Sequence, residues 1–189
     1  ISVSPAMGSE GELFFTSGNE LIALNQKDGK EIWKQILAGT RSITVGMQDT
    51  LFVQFADKLT NRDTKTGDEK WFIEKIEGAP ILCSDDLLLI RSQKADKKSP
   101  SGIKAFSITD GKELWFQSKM PDGKDLSANS FKVGADGTIY VGTPNHILAY
   151  KGTNPPDPEA PWPMVGYNAR NTRAAGSGQN PTPEDKVPK

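Results

Sequence analysis

The side chains best equipped for chemistry in this sequence are few and scattered. His146 is the single histidine, in the run Thr143-Pro144-Asn145-His146. An imidazole acts as a zinc ligand, or as base for a hydroxyl nucleophile, only beside partners at recognisable spacings, and none is marked here. The plainer reading is a turn residue. Cys83 is the single cysteine and follows Ile81-Leu82 in an apolar run. A reactive thiol needs an electropositive, partly exposed setting, so a buried small hydrophobe is expected instead. Asp85-Asp86 offers two carboxylates, as calcium ligation requires, but stands between apolar runs where a hairpin turn is expected. The segment Asn25-Gln26-Lys27-Asp28-Gly29 carries too few oxygens at calcium-loop spacing for an EF-hand. Lys94, Lys97 and Lys98 crowd an insertion from Gln93 to Gly102. They read either as a docking loop for an acidic partner or as a solvated hairpin extension.

The elements that would position these groups are set by internal repeats. Three segments align without gaps: Ala23 to Trp33, Asn61 to Trp71 and Ala105 to Trp115. Each carries a glycine four residues before its tryptophan, at Gly29, Gly67 and Gly111. A degenerate fourth copy starts at Ala149-Tyr150-Lys151, continues through a proline-rich insertion and reaches Trp162 late. Ahead of each copy come an apolar pair, a Gly or acidic turn, a short apolar strand such as Leu13-Phe14-Phe15 or Leu51-Phe52-Val53, and a further strand. Four short strands per repeat of about 40 residues is the pattern of a β-propeller blade. The chain is therefore expected to be all-β, with four-stranded antiparallel blades at about 3–37, 42–76, 79–120 and 130–165 and almost no helix. The glycines are expected to make the turn from third to fourth strand. The tryptophans Trp33, Trp71, Trp115 and Trp162 are structural residues, expected to cover seams between blades. Residues 174–189, rich in proline and polar side chains, read as a disordered tail or a linker.

These repeats resemble the tryptophan-docking repeat of the PQQ-like β-propellers, the quinoprotein-dehydrogenase type. The resemblance runs over residues 3 to 173, and Pro161-Trp162-Pro163-Met164-Val165-Gly166-Tyr167-Asn168 is similar to a terminal segment of bacterial members. The second copy departs from the pattern with Asn61 in place of the small alanine, and the third with its polar insertion. The family implies rings of about six to eight blades, whereas four are expected here. The chain is then the C-terminal part of a longer propeller, one half of an eight-bladed ring made by two chains, or a ring closed by four blades alone. A catalytic member would bring PQQ, a calcium ion, an aspartate base and adjacent cysteines. No motif here matches those segments, and one cysteine cannot make a disulfide within the chain, so no cofactor or metal is expected.

Composition narrows the partner class. Lys plus Arg is 23 and Asp plus Glu 24, a formal charge of −1, which disfavours a general nucleic-acid or anionic-membrane binder. The longest strongly apolar run, Leu87 to Ile90, is too short to span a membrane. The chain opens at Ile1 without methionine, which fits a removed leader or an excised fragment. The expectation is a non-catalytic binding or scaffold module, whose partner is another protein or a second copy completing the ring. Its periplasmic or extracellular location is implied by the resemblance. The competing readings are a fragment of a PQQ-dependent dehydrogenase and a structural repeat of a large surface protein.

Overall fold

A computed structural model of the chain describes residues 3–46, 50–92 and 101–152. It is all-β, and among these residues no helix is long and apolar enough to cross a membrane. The first sheet holds β1 (Ala6–Met7), β2 (Glu12–Ser17), β3 (Glu20–Asn25) and β4 (Glu31–Ile36) in chain order. The second holds β5 (Thr40–Val45), β6 (Thr50–Phe55), β7 (Lys58–Asp63) and β8 (Glu69–Ile73). The third holds β9 (Ile76–Cys83), β10 (Leu87–Ser92), β11 (Ile103–Ser107) and β12 (Glu113–Gln117). The fourth shows three strands, β13 (Ser130–Val133), β14 (Ile139–Gly142) and β15 (Ile147–Tyr150). All neighbours are antiparallel meanders, so this is a propeller arc of four blades. The third blade starts at Ile76 because only Glu74-Lys75 separates it from β8, and the fully buried Ile76 already belongs to the seam.

Each blade packs face to face against the next, and this explains the strand sequences. Ala6, Phe14, Leu21, Ala23 and Trp33 of the first blade meet Ile43, Val45, Leu51 and Val53 of the second. Phe52 and Leu59, on the second blade, join Leu82, Leu88, Ile90 and Phe106 of the third. Ile81, Leu89 and Ala105 of the third are packed with Val133 and Val141 of the fourth. Inner blades are covered on both faces, so their strands read as continuous apolar runs instead of alternating. Leu51-Phe52-Val53 is buried at every position, whereas in Leu13-Phe14-Phe15 only the middle residue is.

The antiparallel order also sorts the loops. Connections from second to third strand, and from one blade to the next, emerge at one end of the arc. Turns from first to second and from third to fourth strand emerge at the other. Thr143–His146 and the 118–129 connection therefore share an end, and the Gly29, Gly67 and Gly111 turns share the opposite one.

Candidate functional site

The repeat residues come together across blades, not within them. Gly67 and Gly111 each sit in a turn with positive φ, +78° and +71°, a conformation that glycine adopts without a Cβ penalty. The Trp33 indole donates a 2.7 Å hydrogen bond to the Thr64 carbonyl, and a Cβ built on Gly67 would lie 2.9 Å from Trp33 Cε3. Trp71 repeats this one blade on. Its indole donates to the Thr109 carbonyl at 3.1 Å, and a Cβ on Gly111 would lie 2.8 Å from Trp71 Cε3. Phe14 and Phe52 back the two indoles, with ring centroids 5.9 Å and 5.7 Å away. Arg62 fixes the Gly67 turn from behind, donating to the Gly67 carbonyl at 2.8 Å and to Glu69 at 3.3 Å. Burial lowers the Arg62 pKa, and Glu69 opposes that shift. Asn61, at the alanine position of the repeat, turns its departure into a bridge: its amide donates across the seam to the Ile108 carbonyl at 3.3 Å.

Trp115 has a different environment, 38% exposed where Trp33 is 8%. One reason is visible. The residue backing it is Leu89, not phenylalanine, since Leu89 faces Ala105 as Phe14 faces Ala23. In the sequence of the fourth copy the glycine position is held by Pro155. A cavity of about 350 Å³ remains at this seam, lined by Leu87, Leu89, Trp115, Ile139, Val141 and Tyr150. Pro155 and Trp162 lie outside the described residues, as do Lys94, Lys97 and Lys98.

The other groups equipped for chemistry are spread apart. Cys83 is buried at the end of β9. Asp85 and Asp86 form the β9–β10 turn, each at φ 60°, and the Asp86 carboxylate accepts from Ser107 Oγ, Thr109 N and Thr109 Oγ1 at 2.8–2.9 Å. Asp86 thus ties the β9–β10 turn to the β11–β12 turn of the same blade. Asn25 Oδ1 accepts from Lys27 N at 2.8 Å and holds the Gly29 turn. Among the described residues no group of three His, Cys, Asp or Glu side chains converges as a metal site would require.

A groove of about 470 Å³ opens on the loop end, between the 118–129 connection and the Thr143–His146 turn. Its floor and rim combine Met120, Pro121 and Leu148 with Asp122, Lys124 and His146. The connection is rigidly tied down. Fully buried Leu126 pins it to the core, its amide donates to the Ser118 carbonyl, and its carbonyl accepts from Ser101 Oγ. Lys119 pairs with Asp125 at 2.6 Å, and the Lys124 side chain and amide hold the Asp122 carboxylate below the usual range. His146 is bound through its backbone to Thr143. Repeat matching overlooked this groove. The signal was present as a blade-to-blade connection of about twelve residues, beside two or three elsewhere.

The comparisons with known proteins agree with this architecture. Residues 2–118 match the family described as outer membrane protein assembly factor BamB. A search of curated proteins finds no match to this sequence. Among solved structures, BamB from Moraxella catarrhalis is 17% identical with a TM-score of 0.59, over 80% of this chain and 50% of that one. The quinohemoprotein alcohol dehydrogenase ADHIIG from Pseudomonas putida HK5 is 19% identical with a TM-score of 0.56, over 75% and 28%. That of Comamonas testosteroni is 16% identical with a TM-score of 0.57, over 86% and 36%. The chain spans half or less of the length of each. It belongs to the PQQ-type β-propeller family of the outer membrane protein assembly factor BamB.

Proposed function

We propose that the chain is a non-catalytic propeller module that docks a protein segment on the loop end of its blades, within an exported bacterial protein. The observation that carries this reading is the groove between Met120–Ser127 and Thr143–Leu148. Propellers are rigid frames whose functions reside in their loops. Here the loops form a concave surface with apolar anchors and a few fixed charges, the usual make-up of a recognition site. In sequence, Lys94, Lys97 and Lys98 fall in the insertion between β10 and β11, and this cluster of cations favours a partner with acidic residues. The family's description as an assembly factor supports a protein partner and an exported, periplasmic or extracellular, location. The chain serves as part of a larger ring, its remaining edges covered by further blades. No PQQ or calcium is assigned to it.

Site-specific photo-crosslinking from Met120 and from Leu148 in envelope extract tests the reading. One protein should be captured at both positions and lost in a Leu148→Glu variant that keeps its fold. Titration with PQQ and calcium gives the contrary outcome: stoichiometric quenching of tryptophan fluorescence would favour a dehydrogenase fragment and overturn the scaffold reading.

A further inference from the structure

At one seam between blades the buried polar groups are left without protein partners. Among the described residues, four buried side-chain oxygens accept or donate no hydrogen bond: Ser42 Oγ, Thr44 Oγ1, Gln54 Oε1 and Asn61 Oδ1. All four residues are between 0% and 4% exposed. They also share one face of the second blade. Ser42 pairs with Gln54, and Thr44 with Phe52, which pairs in turn with Asn61. Phe52 packs with Leu82, Leu88, Ile90 and Phe106 of the third blade, so this face is turned to the second–third seam. The opposite face, with Ile43, Val45, Leu51 and Val53, meets the first blade.

Polar groups buried elsewhere are provided for. Thr60 Oγ1, on the first-blade side of the same sheet, donates to the Val53 carbonyl at 3.3 Å. In the third blade Ser101 Oγ donates to the Leu126 carbonyl and Ser107 Oγ to the Asp86 carboxylate. A buried polar atom without a partner is costly, and folded chains supply one from protein or from ordered water. Protein does not supply it at this seam. The third-blade side chains clustered there, Ile76, Leu82, Leu88, Ile90 and Phe106, are all apolar.

We propose that the second–third seam binds internal water, held by Ser42, Thr44 and Gln54. Ser42 and Gln54 are direct cross-strand neighbours, and Thr44 stands two residues along β5 on the same face, so the three side chains adjoin. The Gln54 amide is oriented by its Nε2, which donates to the Ala56 carbonyl at 2.7 Å and leaves Oε1 for the seam. A bound water donates to Gln54 Oε1, which only accepts, and exchanges bonds with two hydroxyls that do both. Three partners is the usual number for a buried water. None of the side chains named on either face is a carboxylate, so the site suits a neutral ligand and not a cation. Asn61, beyond Phe52, stands apart from the three. Strand β5 is the first of its blade and neighbours the first strands β1 and β9, the row that lines a propeller's axis. The site thus lies at the axial edge of the seam.

Magnetic relaxation dispersion of the water oxygen, which detects long-lived internal water, tests it on the whole chain. Thr44→Val exchanges the hydroxyl for a methyl group of equal size and should lower the dispersion; Ser42→Ala should do the same if the first variant folds poorly. Thr60→Val, which alters a bonded hydroxyl on the opposite face, should leave the dispersion unchanged. The urea midpoint gives a second readout. With water in place, Thr44→Val takes a bond from it and leaves Ser42 and Gln54 short of a partner, so the midpoint should fall. A dispersion that neither seam variant lowers, or that Thr60→Val lowers as much, overturns the proposal. So does a midpoint raised by Thr44→Val, the outcome for a hydroxyl buried dry.

Discussion

Trp33 Cε3 stands 2.9 Å from the place a Cβ would take on Gly67, a residue of the following blade. The glycine of one repeat is therefore the seat for the tryptophan of the repeat before it. The seam is closed by a pair 34 residues apart in sequence, not by the Gly29–Trp33 spacing that the repeat displays.

That relationship ranks the tryptophans. Trp33→Ala removes a buried indole, its hydrogen bond to the Thr64 carbonyl and its contact with Phe14. It should destabilise the fold by about 3–5 kcal/mol. Trp115→Ala acts on a half-open seam and should cost about half as much or less. Urea denaturation followed by circular dichroism decides the order, and equal losses would contradict the seam geometry.

The glycines should differ for the same reason. Gly67→Ala and Gly29→Ala both force an L residue to positive φ, a shared cost of about 1 kcal/mol. Gly67→Ala also drives a methyl group into the Trp33 ring, whereas nothing described lies within 4 Å of a Cβ on Gly29. Gly67→Ala should lower the denaturation midpoint in urea clearly more than Gly29→Ala.

Acid should weaken the turns. Asp110 is held below the ordinary value of 3.8 by the Lys112 side chain and by Ser107, and Asp136 by the Thr138 amide and hydroxyl. A carboxylate with a depressed folded pKa adds stability that is present above its unfolded value and lost as pH falls through the folded one. Stability should thus stay level with respect to these groups at neutral pH and decline below pH 3.8. The double variant Asp110→Asn, Asp136→Asn should flatten that decline in denaturation midpoints measured against pH.

The sequence by itself determined the blade count, the strand order and the turn chemistry, because these depend on local pattern: glycine at a fixed offset from tryptophan, apolar runs of strand length, acidic residues at hairpins. It also marked Cys83, Asp85, Asp86 and His146 as residues without a local constellation. Tertiary structure alone decided which tryptophan meets which glycine, since that contact crosses from one repeat to the next. It alone showed why Trp115 is half exposed, because Leu89 and not a phenylalanine faces Ala105 at that seam. It also made the Met120–Leu148 groove, from two loops about twenty residues apart that share an end only once the sheets stack. Local sequence encodes the blade, whose hydrogen bonds are short-range. The seams and the groove arise from packing between blades, and there the Gly29 turn stays open while Gly67 and Gly111 are filled.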